Sequence, residues 1–80
     1  MTPAEIQQLI EAHLPECTAQ VASDDLTHYE ATVVSSAFTG KRALQRHQLV
    51  YAALGEKMGR EIHALSIAAY TPDEWRERES

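Results

Sequence analysis

Hydrophobic and polar positions change period several times along this chain, and each change marks an element. Ile6, Leu9, Ile10, His13 and Leu14 recur at helical spacing behind Thr2-Pro3-Ala4-Glu5. Thr2 can cap such a helix with its hydroxyl, Pro3 suits the first helical position, and Glu5 can reach back to the cap amide. The pattern predicts a helix over 3–14, stopped by Pro15. Alternation then takes over. Cys17, Ala19 and Val21 oppose Thr18, Gln20 and Ala22, which suits a short half-buried strand, and Ser23-Asp24-Asp25 is turn chemistry. From 28 to 35, Tyr29, Ala31 and Val33 share one face and His28, Glu30 and Thr32 the other, predicting a second strand and an antiparallel hairpin.

Phe38-Thr39-Gly40-Lys41 breaks the alternation, and from Arg42 the period returns to that of a helix. Leu44, Val50 or Tyr51, Leu54 and Met58 form its expected stripe, and the helix should end between Gly55 and Gly59, with Gly59 a suitable left-handed terminator. Residues 62–70 are almost wholly apolar, as in a central or well-covered strand. Thr71-Pro72-Asp73-Glu74 repeats the capping pattern of the N-terminus and launches a short helix carrying Trp75. The order is therefore α-β-β-α-β-α, an α+β fold. The helical crossover between the second and third strands favours their parallel pairing in a right-handed sense, giving a mixed three-stranded sheet packed against helices. One domain over residues 1–80 is expected, its core at about 3–76 and its C-terminal tail frayed after Trp75.

Composition narrows the picture. A chain of 80 residues buries only about 60% of its unfolded surface. One cysteine permits no internal disulfide, and four histidines without a paired Cys or His signature exclude a zinc finger. The expectation is a cytoplasmic protein without a membrane span or a signal peptide, a monomer or weak homodimer when alone. The net charge of −5 is unevenly spread. Residues 1–30 hold six acids and no Lys or Arg, whereas residues 31–60 hold Lys41, Arg42, Arg46, Lys57 and Arg60 against Glu56 alone. A basic middle on an acidic body suits an acidic partner, glutathione carboxylates or nucleic acid, or else a solvated helix face. No Ser/His/Asp order, Gly-rich phosphate loop or facing carboxylate pair is legible, so the reading is not of an enzyme.

Five segments in register carry a resemblance. These are Ser35-Ser36, Phe38-Thr39-Gly40-Lys41, Arg46-His47-Gln48-Leu49-Val50-Tyr51, His63-Ala64-Leu65-Ser66-Ile67 and Thr71-Pro72-Asp73-Glu74-Trp75. Across roughly residues 3–78 the chain resembles the BolA family, and its short first turn is most similar to the IbaG-like branch. The resemblance implies a class II KH-like fold. It also implies a monothiol glutaredoxin of the CGFS type as partner, with a 2Fe–2S cluster shared between the glutaredoxin cysteine, glutathione and a BolA histidine. The family histidine falls on His63.

The residues bear on this directly. Imidazole beside thiolates is established iron–sulfur ligation, and His63 stands where Arg60-Glu61 gives way to strand, accessible to a second protein. His28, at the start of the second strand, is a second candidate, because parallel pairing would bring both strand starts to one end of the sheet. The alternative for His28 is a surface ring bonding nearby backbone. Relatives with a longer loop place another ligand there, but Ser23-Asp24-Asp25-Leu26 holds neither His nor Cys. His47 reads as a packed, hydrogen-bonded residue, His13 as packing at the core edge and Cys17 as a small buried apolar group. The competing function is nucleic-acid binding, since the family includes members regarded as transcriptional regulators. A KH domain clamps backbone with a G-x-x-G loop, and here Gly40-Lys41-Arg42-Ala43 lacks the second glycine. Lys41, Arg42 and Arg46 remain the expected phosphate or partner contacts, against the opposing field of the acidic body.

Overall fold

A computed structural model describes residues 1–79, and Ser80 lies outside the described residues. The elements are α1 (Pro3–His13), β1 (Thr18–Ala22), β2 (His28–Val34), a 3-10 turn (Ser36–Phe38), α2 (Ala43–Leu54), a second 3-10 turn (Gly55–Lys57), β3 (Ala64–Tyr70) and α3 (Pro72–Glu79), so the α-β-β-α-β-α order stands. Thr2 and Glu5 form the expected capping box, with the Glu5 N–H donating to Thr2 Oγ1 at 3.2 Å and the Thr2 N–H to Glu5 Oε1 at 2.9 Å. The Thr2 backbone N–H, with the Thr2 hydroxyl second, holds the Glu5 carboxyl below its ordinary pKa.

The sheet order is β1-β2-β3, with β2 antiparallel to β1 and parallel to β3. Period-2 alternation puts Ala19 on the core face with Tyr29, Ala31 and Val33, and α1 and α2 cover that face through Ile6, Ile10, Val50 and Leu54. Phe38 and Ile62, from the connecting segments, complete the core, and both are fully buried. Each such side chain contributes about 1.5–3 kcal/mol by leaving water. Ser35 is the fully buried polar residue at the centre. Its hydroxyl donates to the Pro15 carbonyl at 2.6 Å and accepts from the Ala37 N–H at 3.1 Å, tying the loop after α1 to the turn before α2.

Three expectations are corrected. β3 is not central but an edge strand, and β2 holds the middle of the sheet. Ser66 and Ala68 of β3 are exposed, and a run of small apolar residues gives the same signal whether one face or both are covered. Leu44 is 70% exposed and does not belong to the α2 stripe. It lies six residues before Val50, about 240° around the helix, whereas Arg46 lies about 40° away and takes the inner face. Gly55 (φ 56°), not Gly59, follows α2 as its cap, while Gly59 (φ 85°) donates its N–H to Ile62 at 2.8 Å in the turn into β3. At the C-terminus α3 continues to Glu79, past Trp75, and the part of the expected fraying that falls on Ser80 lies outside the described residues.

Candidate functional site

β2 and β3 begin side by side. In their register His28 pairs with Ala64, so His63, the residue before β3, stands next to the start of β2. Both histidines are exposed. The turn into β3 that carries His63 is built by Gly59 and by a short parallel bridge between Met58 and Ile62, with the Ile62 side chain sealed in the core directly before it. His63 is thereby presented, exposed, at the end of the sheet by a buried neighbour.

His28 is held more tightly than a free surface ring. Asp25 Oδ1 accepts the backbone N–H groups of Thr27 and His28, each at 2.9 Å, and Asp25 Oδ2 lies 2.8 Å from His28 Nδ1. These bonds, the His28 N–H and ring first among them, hold the Asp25 carboxyl well below the usual carboxylate range. An ionised carboxylate only accepts, so Nδ1 is the donor of this contact and Nε2 is the ring nitrogen left for another partner. Carboxylate-oriented imidazoles of this kind are the common state of histidines that bind metals. Ser23 braces the same turn, its hydroxyl donating to the His28 carbonyl at 2.6 Å and accepting from the Leu26 N–H at 2.9 Å. Leu26 is 55% exposed at φ 58°, a left-handed conformation rare for leucine. An open cleft of about 210 Å³ lies beside His28, lined by Ala22, Ser23, Asp24, Asp25 and Glu30.

Asp25 is the residue that sequence reasoning missed as a site residue. It reads there as turn chemistry and as a poor iron ligand, whereas its part is to orient the ligand candidate three residues on. The Asp-x-x-His spacing at a strand start was the signal available. His28 is thus neither free nor bonded to backbone through its ring.

Among the described residues no three of His, Cys, Asp and Glu gather so as to hold a metal ion. A metal centre at this end of the sheet would therefore draw ligands from another molecule. His13 is exposed, not packed at the core edge, and its ring folds back so that Nδ1 lies 2.8 Å from the Leu9 carbonyl at the end of α1. Cys17 is half-buried, and desolvation ahead of the Glu11 charge pushes its thiol up to about 11, which keeps the thiolate scarce. His47 is half-buried on α2.

The basic trio does not stay together. Lys41 and Arg42 are exposed after Gly40 (φ 76°), and neither has a salt bridge among the described residues. Arg46 is corrected. Its Nε donates to the Lys41 carbonyl at 2.8 Å, one terminal nitrogen donates to the Ala69 carbonyl at 3.1 Å and to Glu74 Oε1 at 2.6 Å, and the other to Glu74 Oε2 at 3.2 Å. Four of its five N–H donors are spent inside the molecule, and the side chain is 14% exposed. It straps α2 to β3 and α3 and is not available to a phosphate. Its bonds, together with the Thr71 N–H, bring the Glu74 carboxyl down to about 2.

Comparison with known proteins gives a consistent set of matches. The family described as BolA-like protein matches residues 2–74. The chain is 57% identical over 51 residues to human "BolA-like protein 1", covering 64% of this chain and 37% of that protein. It is 41% identical over 49 residues to the Escherichia coli "DNA-binding transcriptional regulator BolA", covering 61% of this chain and 47% of that protein. The matches thus span less than half the length of these two relatives. Among solved structures, a bolA protein homologue from Coxiella burnetii superposes with a TM-score of 0.80 at 47% identity, covering 95% of this chain and 97% of that one.

Proposed function

The chain belongs to the BolA-like protein family, and from that premise we propose that it is a non-enzymatic adaptor that docks a monothiol glutaredoxin of the CGFS type. In that complex His63, with His28 as a second donor, completes the ligand set of a 2Fe–2S cluster that the glutaredoxin cysteine and glutathione hold from the other side. The cluster is cargo or signal, passed on or sensed in a reducing, cytoplasmic setting, in iron–sulfur trafficking or in iron and stress regulation. One observation carries the reading: His63 is exposed at the start of β3, beside an exposed His28 whose Nδ1 is taken by Asp25. Two donors fall short of a metal site, and a second molecule that brings thiolates supplies what is missing. Asp25 and Ser23 fix the His28 ring before the partner arrives, so less ordering accompanies binding.

The test is reconstitution with a CGFS glutaredoxin, glutathione, iron and sulfide, followed by visible absorption. The wild-type mixture is expected to show a heterocomplex spectrum distinct from that of the glutaredoxin alone, and His63→Ala to lose that spectrum. A wild-type mixture with no heterocomplex defeats the proposal. A heterocomplex whose spectrum ignores His63→Ala leaves glutaredoxin binding standing without ligation by His63.

A second reading is favoured by Lys41 and Arg42, which are exposed beside Gly40 and without a salt bridge among the described residues, together with the DNA-binding name of the E. coli relative. Phosphate contacts there are salt-sensitive and work against the net charge of −5. Lys41→Glu with Arg42→Glu abolishes DNA binding on this reading, and His63→Ala leaves it intact. Cluster binding shows the opposite dependence on His63.

A further inference from the structure

The two outer strands differ in what their backbone groups meet. In a strand, the N–H and C=O of one residue point to the same side, and the side alternates from residue to residue. The Tyr70 carbonyl accepts the Ser35 N–H at 3.0 Å, so Tyr70, Ala68, Ser66 and Ala64 face inward to β2. Leu65, Ile67 and Ala69 therefore face outward, and the Arg46 bond to the Ala69 carbonyl confirms their direction. Among the described residues nothing else meets this outer row. β3 runs for seven residues in unbroken register with β2, without a charge, a proline or a bulge. Such an edge is a template for another strand, and edges left idle are usually blunted by those features.

The edge also borders a cleft. About 410 Å³ of space lies beside Ile67, Ala68, Ala69 and Tyr70, walled on the far side by Lys41, Arg46 and His47. The Arg46 charge is answered by Glu74, whereas Lys41 has no salt bridge among the described residues. The cleft thus joins a row of unmet backbone donors and acceptors to an unanswered cation.

We propose that the outer edge of β3 is the seat of the protein partner, which adds an extended segment to it by backbone hydrogen bonds and sets an acidic side chain against Lys41. The inference rests on the glutaredoxin reading for the identity of the partner and goes beyond it in naming the surface. The unmet groups recur every second residue, a repeat that another extended backbone satisfies and a phosphate chain does not. A second copy of this chain is a poorer occupant. Antiparallel pairing about Ile67 would set Leu65 of one copy against Ala69 of the other, whose carbonyl Arg46 already holds, between bodies that each carry −5. A segment docked here starts beside His63, so strand addition would deliver the partner to the ligand end of the sheet.

Backbone amide exchange, read by nuclear magnetic resonance on the full chain, tests this without any cluster. In the free protein the Leu65, Ile67 and Ala69 amides should exchange fast and those of Ser66, Ala68 and Tyr70 slowly. Addition of an apo CGFS glutaredoxin should slow the first three by about tenfold or more. Ile67→Pro removes one outward donor and no internal bond, as edge strands tolerate, and should weaken glutaredoxin binding by about tenfold. Ile67→Val should bind as wild type, and slow exchange at Ser66 and Ala68 verifies that the proline variant is folded. Lys41→Glu should also weaken binding. Glutaredoxin binding that leaves the three amides fast overturns strand addition while sparing the glutaredoxin reading. Absence of any binding overturns both. Protection that grows with the protein's own concentration assigns the edge to a second copy, and protection by a DNA duplex in place of the glutaredoxin assigns it to nucleic acid; either overturns the proposal.

Discussion

At one edge of the sheet β1 lies under α1, and two side chains one helical turn apart reach down to it. Glu11 Oε2 accepts the Ala19 N–H at 2.9 Å and Gln7 Oε1 accepts the Val21 N–H at 3.2 Å. At the other edge β3 has, among the described residues, one strap, from Arg46 to the Ala69 carbonyl, and its second half from Ile67 borders a cleft. Polar side chains above β1 take its outward N–H groups, and no such side chains stand over those of β3 among the described residues. The difference separates two uses of the same element. The outward N–H groups of β1 are answered within the fold, whereas those of β3 are left for the partner proposed above. An open strand edge next to an accessible histidine is the most informative surface of this chain.

The comparison breaks most visibly at the strap. Arg46→Met keeps the aliphatic stem against the core side of α2 but loses the hydrogen bonds to the Ala69 and Lys41 carbonyls, and with them on the order of 2 kcal/mol. The variant should unfold at lower denaturant than wild type, and, with the Ala69 carbonyl freed, β3 should present a longer open edge. Sedimentation should then show stronger concentration-dependent association than wild type. Wild-type stability together with an unaltered sedimentation profile would mean that Arg46 neither fastens α3 nor guards the edge.

Much of this molecule was legible in its residues, because the decisive cues were local. Thr2-Pro3-Ala4-Glu5 and Thr71-Pro72-Asp73-Glu74 each carry a complete cap within four residues, and both form. The alternation of Tyr29, Ala31 and Val33 fixed the inner face of β2, and the crossover fixed its parallel partner. What was not legible depends on contacts across the chain. Arg46 and Glu74 stand 28 residues apart, so Arg46 reads as a free cation until α3 folds back on α2. The place of β3 at an edge was hidden by alanine, which costs little whether covered or exposed. His63 could be set at a strand mouth from Arg60-Glu61 alone, but the part of Asp25 beside His28 needed the turn conformation to be seen.

A smaller change opens the other side. Replacing Glu11 with Leu and Gln7 with Leu leaves the Ala19 and Val21 N–H groups without acceptors, and each loss costs about 1 kcal/mol. Helix propensity is kept, so far-UV circular dichroism should retain α1. Amide exchange at Ala19 and Val21 should accelerate while β2 amides stay protected. If exchange at those two positions does not change, the α1 side chains are not what closes this edge.

The gentlest test acts on Glu74 by pH. Its folded carboxyl lies at about 2 because Arg46 and the Thr71 N–H bond the ionised form, against 4.5 unperturbed. A depressed acid adds stability above its unfolded pKa and loses it as pH falls through the folded one, so the strap should weaken progressively from about pH 4.5 towards pH 2. Trp75 is the only tryptophan, and its ring packs 5.3 Å from that of Tyr70, so its fluorescence reports whether α3 stays docked. Emission should shift with acid in wild type, while Glu74→Gln, which cannot ionise, should show a weaker dock at neutral pH and no step in this range. Asp25 is also held low, but it belongs to the turn at the start of β2, whereas Trp75 borders Val34 at the far end. Identical acid profiles for the two proteins would show that the Arg46–Glu74 pair does not hold α3, and the open edge of β3 would then need a different account of how its last outward carbonyl, that of Ala69, is kept covered.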